Sequence, residues 1–116
     1  MPRFVVLEHD SPHGRHWDFM LEVGQSLATW ALAQPPDAPA PIAAKSLPDH
    51  RLAYLDYEGP ISGGRGSVAR WDQGIYQFES QGQDQIQVSL NGQRLIGAAV
   101  LRRLPGQPAW QFSFRR

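Results

Sequence analysis

His16-Trp17-Asp18-Phe19-Met20-Leu21-Glu22-Val23 decides the fold class. Trp17, Phe19, Leu21 and Val23 alternate with Asp18, Met20 and Glu22, the period of two expected of a strand with one apolar face. The same reading works outward. Residues 4–9 and 27–32 read as short strands on either side. Residues 85–90 alternate Ile86, Val88 and Leu90 with Gln85, Gln87 and Ser89. At the end of the chain Trp110, Phe112 and Phe114 alternate with Gln111, Ser113 and Arg115. Turn signals recur about every ten residues, the rhythm of short strands. Asn91-Gly92 marks a hairpin turn before a strand at 95–104, and Asp72-Gln73-Gly74 reads as a turn between strands at 68–72 and 74–79. Residues 51–57 are strand-like up to Gly59-Pro60, and 42–47 suit either a short helix or a strand. Four prolines make 34–41 a loop, because each removes a donor and fixes φ. Eight or nine short strands and no long helix predict an all-β chain. Antiparallel strands in this number close as a barrel or stack as a two-layer sandwich, and a compact single-domain antiparallel β-barrel of about eight strands over 1–116 is the expected fold.

Composition narrows the function classes. A chain of 116 residues with 41% hydrophobic and 19% charged side chains can bury a real core, which argues against disorder. The absence of cysteine excludes a disulfide scaffold and any thiolate metal site. No apolar run approaches the roughly 20 residues of a membrane span, and Glu8 interrupts the N-terminal run before a signal-peptide core forms. The expected address is therefore cytoplasmic, and a barrel of this size is expected to be monomeric. Net charge is zero, with 11 basic and 11 acidic side chains, which disfavours a module that coats duplex nucleic acid but not one that acts on an end. All the basic side chains but Lys45 are arginines, which favours planar, directed contacts. Trp17, Trp30, Trp71 and Trp110 read as core or barrel-lining residues.

The polar residues form a constellation. His9 ends the first strand on the face of Val5 and Leu7, while His16 and Asp18, two apart, share a face of the next. A hairpin through residues 10–15 brings the three together as two imidazoles and a carboxylate, a set suited to Mn, Fe or Zn. The spacing H-x6-H-x-D is also that of a solvated turn, and His13, beside Gly14, reads as an exposed loop histidine. Along a strand His50, Leu52, Tyr54 and Asp56 share a face, so His50 and Tyr54 can reach one phosphate oxygen; equally, Tyr54 can pack in the barrel and His50 cap a turn. Backbone N–H groups of the glycine loop Ser62-Gly63-Gly64-Arg65-Gly66 suit an anion, although most such loops are only turns. With no nucleophile elbow, P-loop or dinucleotide fingerprint, metal-assisted hydrolysis is the reaction class that these residues support best.

Phe4-Val5-Val6-Leu7-Glu8-His9 followed by His16-Trp17-Asp18-Phe19-Met20-Leu21-Glu22 resembles the signature of the 3′-phosphoesterase domain of bacterial DNA ligase D. The resemblance continues in order through Ser26-Leu27-Ala28-Thr29-Trp30-Ala31-Leu32, then the run from Asp49-His50-Arg51 to Tyr57-Glu58-Gly59. It ends with Gly64-Arg65-Gly66-Ser67-Val68 and Trp71-Asp72-Gln73-Gly74, covering about 1–76. It implies a β-barrel and a Mn²⁺-dependent phosphoesterase, with Zn²⁺ the other candidate ion, that removes a 3′-phosphate or a 3′-ribonucleoside from a nucleic-acid end in DNA repair. It further implies His9, His16 and Asp18 as metal ligands and His50 and Tyr54 as catalytic, phosphate-engaging residues. Because the chain starts directly at the first strand, it reads as a stand-alone relative. Two departures stand out: the spacing from His9 to His16 is one residue longer, and Met20 stands where the family has a phosphate-binding arginine. Arg15, Lys45, Arg51 and Arg65 are the cations able to replace it, with Arg65 or Lys45 expected to do so. Two other readings stay open: a catalytically weak module that binds phosphate or 3′ ends, and a hydrolase of a small phosphoester.

Overall fold

In the computed structural model, which describes residues 1–116, strands β1 (Arg3–Ser11) and β2 (Gly14–Val23) form the first hairpin. Phe4 lies opposite Leu21, Val6 opposite Phe19 and His9 opposite His16. The strands that follow are β3 (Ser26–Leu32), β4 (Ile42–Arg51), the two-residue β5 (Gly59–Pro60), β6 (Ser67–Gln81), β7 (Gln85–Gly92), β8 (Ile96–Arg103) and β9 (Ala109–Arg115). Every pairing is antiparallel, in the order β1-β2-β3-β4-β9-β8-β7-β6, and β6 pairs back onto β1. Eight strands thus close into a ring, with β5 on β6 as a ninth. Closure leaves the ring no unpaired edge. No helix is long and apolar enough to cross a membrane.

The alternation places the core as expected. Phe4, Val6, Phe19, Leu21, Trp30 and Phe112 are among 15 buried residues that fill the inside of the ring, with Trp17, Trp71, Trp110 and Phe114 packed against them. The run Phe4-Val5-Val6-Leu7 does not alternate, and all four residues are fully buried. The reason is a second apolar cluster on the outer face of the same wall: Val5, Leu7, Met20, Leu27, Leu55 and Val68. Leu52, Tyr54 and Ile61 pack over it. The β1–β2 wall is therefore buried on both sides, which is what a continuous apolar run requires.

Three local expectations fail, each for a reason outside the segment concerned. Residues 52–55 are a single 3-10 turn, not a strand. Arg51 pairs with Ser26, the first residue of β3, so beyond it the backbone has no partner, and a strand needs one. The chain turns instead and buries Leu55 in the outer cluster. Residues 72–74 are not a turn, because β6 runs unbroken through them. A bulge where Val6 and Leu7 meet β6 swings Asp72 inward, where it is 2% exposed. There its carboxylate accepts the N–H groups of Gln93 at 2.8 Å, Arg94 at 3.1 Å and Leu95 at 2.8 Å. Those bonds cause the third difference. The β7–β8 hairpin turns at Gln93-Arg94, and Asn91 and Gly92 still belong to β7. Gly92 is needed for space, since a Cβ there would overlap the Asp72 carboxylate and the Phe4 ring. The segment 42–47, open between helix and strand, is strand.

Tyr76 gives the ring an alkaline limit. Its hydroxyl donates to the Glu22 carbonyl at 2.7 Å, and burial pushes its pKa up from 10.0 to about 12. The folded state thus holds the proton more tightly than the unfolded chain. The stability this brings is complete below pH 10 and is lost as pH rises from 10 towards 12. Thermal melts across that window should fall steeply for the wild type and less for Tyr76→Phe; parallel curves would show that another group sets the limit.

Candidate metal centre

Cross-strand register, not loop geometry, assembles the centre. His9 and His16 face each other across the β1–β2 hairpin with ring centroids 4.5 Å apart. Asp18, two residues along β2, projects on the same outer face at the border of the apolar cluster and is 3% exposed. His9 Nδ1 lies 3.3 Å from Asp18 Oδ2, and His16 Nε2 lies 3.0 Å from Asp18 Oδ1. One ligand atom from each residue falls within 4.8 Å of the others. The buried Oδ1 nevertheless has no hydrogen-bond partner, so the nitrogen near it does not donate to it. A buried carboxylate oxygen without a donor is costly unless a cation satisfies it. The arrangement fits a divalent ion.

The tautomer of His9 supports the same fit. Its Nε2 lies 2.8 Å from the carbonyl oxygen of Arg65, which can only accept, so the proton sits on Nε2 and Nδ1 turns a lone pair towards the carboxylate. The glycine loop makes that contact possible. Gly66 has φ of +90°, and a Cβ there would overlap the Asp10 carbonyl, so only glycine lets the loop lie this close to β1. His13 is exposed at the hairpin tip, away from this set.

A cavity of about 410 Å³, lined by His9 and Asp18 of this set, opens beside it. Leu7, Met20, Ile61 and Val68 form its apolar wall, and His50, Tyr54, Arg51 and Arg65 its polar one. His50 reaches it through a bulge in β4. Leu27 pairs with His50 but Thr29 pairs with Leu47, so Pro48 and Asp49 together oppose Ala28. The extra residue flips the alternation. Ile42 and Ala44 point into the ring, whereas His50, an even-numbered residue like them, points outward with Leu27. Pro48, with no N–H to donate, is tolerated at a bulge, and its carbonyl holds His50 Nδ1 at 2.9 Å. The proton therefore sits on Nδ1, and Nε2 is free for a ligand. Tyr54 meets the His50 ring edge-on at 5.7 Å. The two residues come together as expected, but across a strand-to-turn junction and not along one strand face.

The cations sort themselves by position. Met20 is 1% exposed within the outer cluster and contributes only a thioether to the cavity. Lys45 is exposed on β4 opposite Ala31 and does not line the cavity, which removes it as a replacement for the missing arginine. Arg65 does line it: its Nε and Nη2 bind Ser62, at 2.8 Å to the carbonyl and 3.4 Å to the hydroxyl. Arg51 is the second cation at the rim; its position beside His50 was the available sequence signal.

The chain also matches known proteins in sequence. The family model of the DNA Ligase D 3′-phosphoesterase domain matches residues 7–103, well past the motifs of the first two thirds. The multifunctional non-homologous end joining DNA repair protein LigD of Mycobacterium tuberculosis is 35% identical over 114 residues, covering 89% of this chain and 15% of that protein. The multifunctional non-homologous end joining protein LigD of Pseudomonas aeruginosa is 32% identical over 105 residues, covering 82% of this chain and 12% of that protein. This chain thus corresponds to a small part of each relative. With the match running from β1 through the end of β8, the chain belongs to the DNA ligase D 3′-phosphoesterase domain family.

Proposed function

We propose that this chain is a metal-dependent phosphoesterase that removes a 3′-phosphate or a 3′-ribonucleotide from nucleic-acid ends. The observation that carries the reading is the convergence of His9, His16 and Asp18 on one point beside a cavity that His50, Tyr54 and Arg65 also line. The three ligands would hold Mn²⁺ or a similar ion, which when bound supplies Lewis-acid polarisation of a phosphoryl oxygen. The other residues act on the phosphate directly. His50, its Nδ1 held by the Pro48 carbonyl, turns Nε2 towards the phosphate. As general acid it gives a proton from Nε2 to the leaving sugar oxygen while a water attacks phosphorus, the ester P–O bond breaks and the water's proton passes to solvent. The Tyr54 hydroxyl donates to a second oxygen. Arg65, with Nη1 free of Ser62, supplies the cation that Met20 cannot.

The test is a primer–template ending in a 3′-phosphate, incubated with Mn²⁺ with and without chelator. Chelator-sensitive appearance of a 3′-OH is expected. In the same assay Arg65→Ala should lower kcat/KM about 100-fold, the loss typical of one aimed donor, while metal affinity is unchanged because the backbone carbonyl that orients His9 remains. An unchanged kcat/KM would assign the phosphate cation elsewhere, with Arg51 the nearest. The buried Met20 favours a second reading, an end-binding module with little turnover. Metal-dependent binding of the 3′-phosphate end with no product would select it, and preferential hydrolysis of thymidine 3′-monophosphate would select a small-phosphoester hydrolase.

A further inference from the structure

A second recess of about 240 Å³ adjoins the cavity and shares Arg51, Tyr54 and Ile61 with it. Tyr57 and Pro60 are among the residues that complete it. Tyr57 is the residue here that the fold does not use. It belongs to neither apolar cluster and is 37% exposed, one of very few large apolar side chains left in solvent. It is nevertheless held in place at both ends. Its ring stands edge-on to Tyr54 at 5.8 Å and 87°, and its hydroxyl donates to the Pro60 carbonyl. An immobilised, exposed aromatic ring loses little further entropy when a ligand stacks on it. The cation beside it, Arg51, is exposed, and no ion pair ties it up.

A planar ring, a free guanidinium and continuity with a phosphate cavity match one ligand chemistry, that of a nucleotide. We infer that this recess receives the nucleobase of the nucleotide carrying the scissile 3′-phosphate, stacked on Tyr57, with Arg51 against the phosphodiester on its 5′ side. The inference rests on the phosphoesterase reading above and deepens it: the site recognises a nucleoside and not a bare phosphomonoester. Stacking on an aromatic ring tolerates any base, so the recess selects for the presence of a base and not for its identity.

The test compares two oligonucleotides ending in a 3′-phosphate, one with a normal terminal nucleotide and one whose terminal sugar lacks its base. The wild-type chain with Mn²⁺ is expected to favour the base-bearing end about tenfold in kcat/KM, the usual worth of one stacked base. Tyr57→Ala should abolish the preference while keeping the wild-type rate on the abasic end, and Tyr57→Trp should restore it. Equal wild-type rates on both ends would overturn the stacking site and leave the phosphoesterase reading standing. Equal losses on both ends in Tyr57→Ala would also overturn it and make Tyr57 a structural prop of Tyr54. Absence of wild-type turnover on either end would overturn the phosphoesterase reading itself, and this inference with it.

Discussion

Asp18→Asn is expected to eliminate metal-dependent turnover, by about 10³-fold or more, without destabilising the metal-free protein. Asp18 is 3% exposed, both its oxygens face imidazole nitrogens, and Oδ1 has no hydrogen bond. Without a cation the buried Oδ1 has no partner, so an amide of the same shape forfeits no hydrogen bond there. Metal-free melts of the variant should therefore match the wild type or lie a few degrees higher. The metal response should differ sharply. An ion at about 100 times its Kd adds about 2.7 kcal/mol to the wild type, a rise on the order of 10 °C, and this rise should vanish in Asp18→Asn. A catalytic ion contributes several kcal/mol to the transition state, which sets the size of the rate loss. A variant that keeps its activity, or that melts far below the wild type without metal, would sink the assignment and make Asp18 a structural residue. This opposition between stability and activity is common at functional sites.

The largest loss of stability is expected from Asp72→Ala, on the inner face of the ring and outside the His9, His16 and Asp18 set. One carboxylate takes the N–H groups of Gln93, Arg94 and Leu95 at 2.8, 3.1 and 2.8 Å, and Leu95 is fully buried. Alanine leaves three donors at the end of the β7–β8 hairpin without an acceptor, at 1–3 kcal/mol for each one that water cannot reach. With the Leu95 N–H buried and the other two partly so, a total of roughly 2–4 kcal/mol follows, a large part of the 5–15 kcal/mol available to a domain of this size. The melting temperature should drop by on the order of 10–20 °C. Amide exchange locates the effect: Gln93, Arg94 and Leu95 should lose protection first. A loss below about 1 kcal/mol would show that the turn forms by itself and that the carboxylate merely follows it.

The strands were legible because their signals are local. Trp17, Phe19 and Leu21 alternate with Asp18 and Met20 whatever lies elsewhere, and the structure buries Phe19 and Leu21 inside the ring with Trp17 packed against them. The last strand reads the same way through Trp110, Phe112 and Phe114. The triad was legible as well. The alternation of β2 puts His16 and Asp18 on one face, and a hairpin with a two-residue tip at Pro12-His13 sets His9 opposite His16. The turn at Asn91-Gly92 was misread because an Asn-Gly pair favours a hairpin turn only when nothing distant competes. Here Asp72, some 20 residues earlier in the chain, holds the turn two residues further on.

Sequence alone therefore determined the all-β class, the inner core and the residue types that converge at the centre, each encoded in spacing along one or two neighbouring strands. Tertiary structure decided what depends on pairing across the ring. The bulge at Pro48 and Asp49 turned His50 outward, the end of β3 made residues 52–55 coil over the outer face, and the glycine loop carried the Arg65 carbonyl to His9. It also excluded Lys45 and placed Arg51 and Tyr57 at the rim. The physical reason is parity. One inserted residue reverses every side chain beyond it, and whether the insertion occurs is set by the partner strand, which local sequence does not contain.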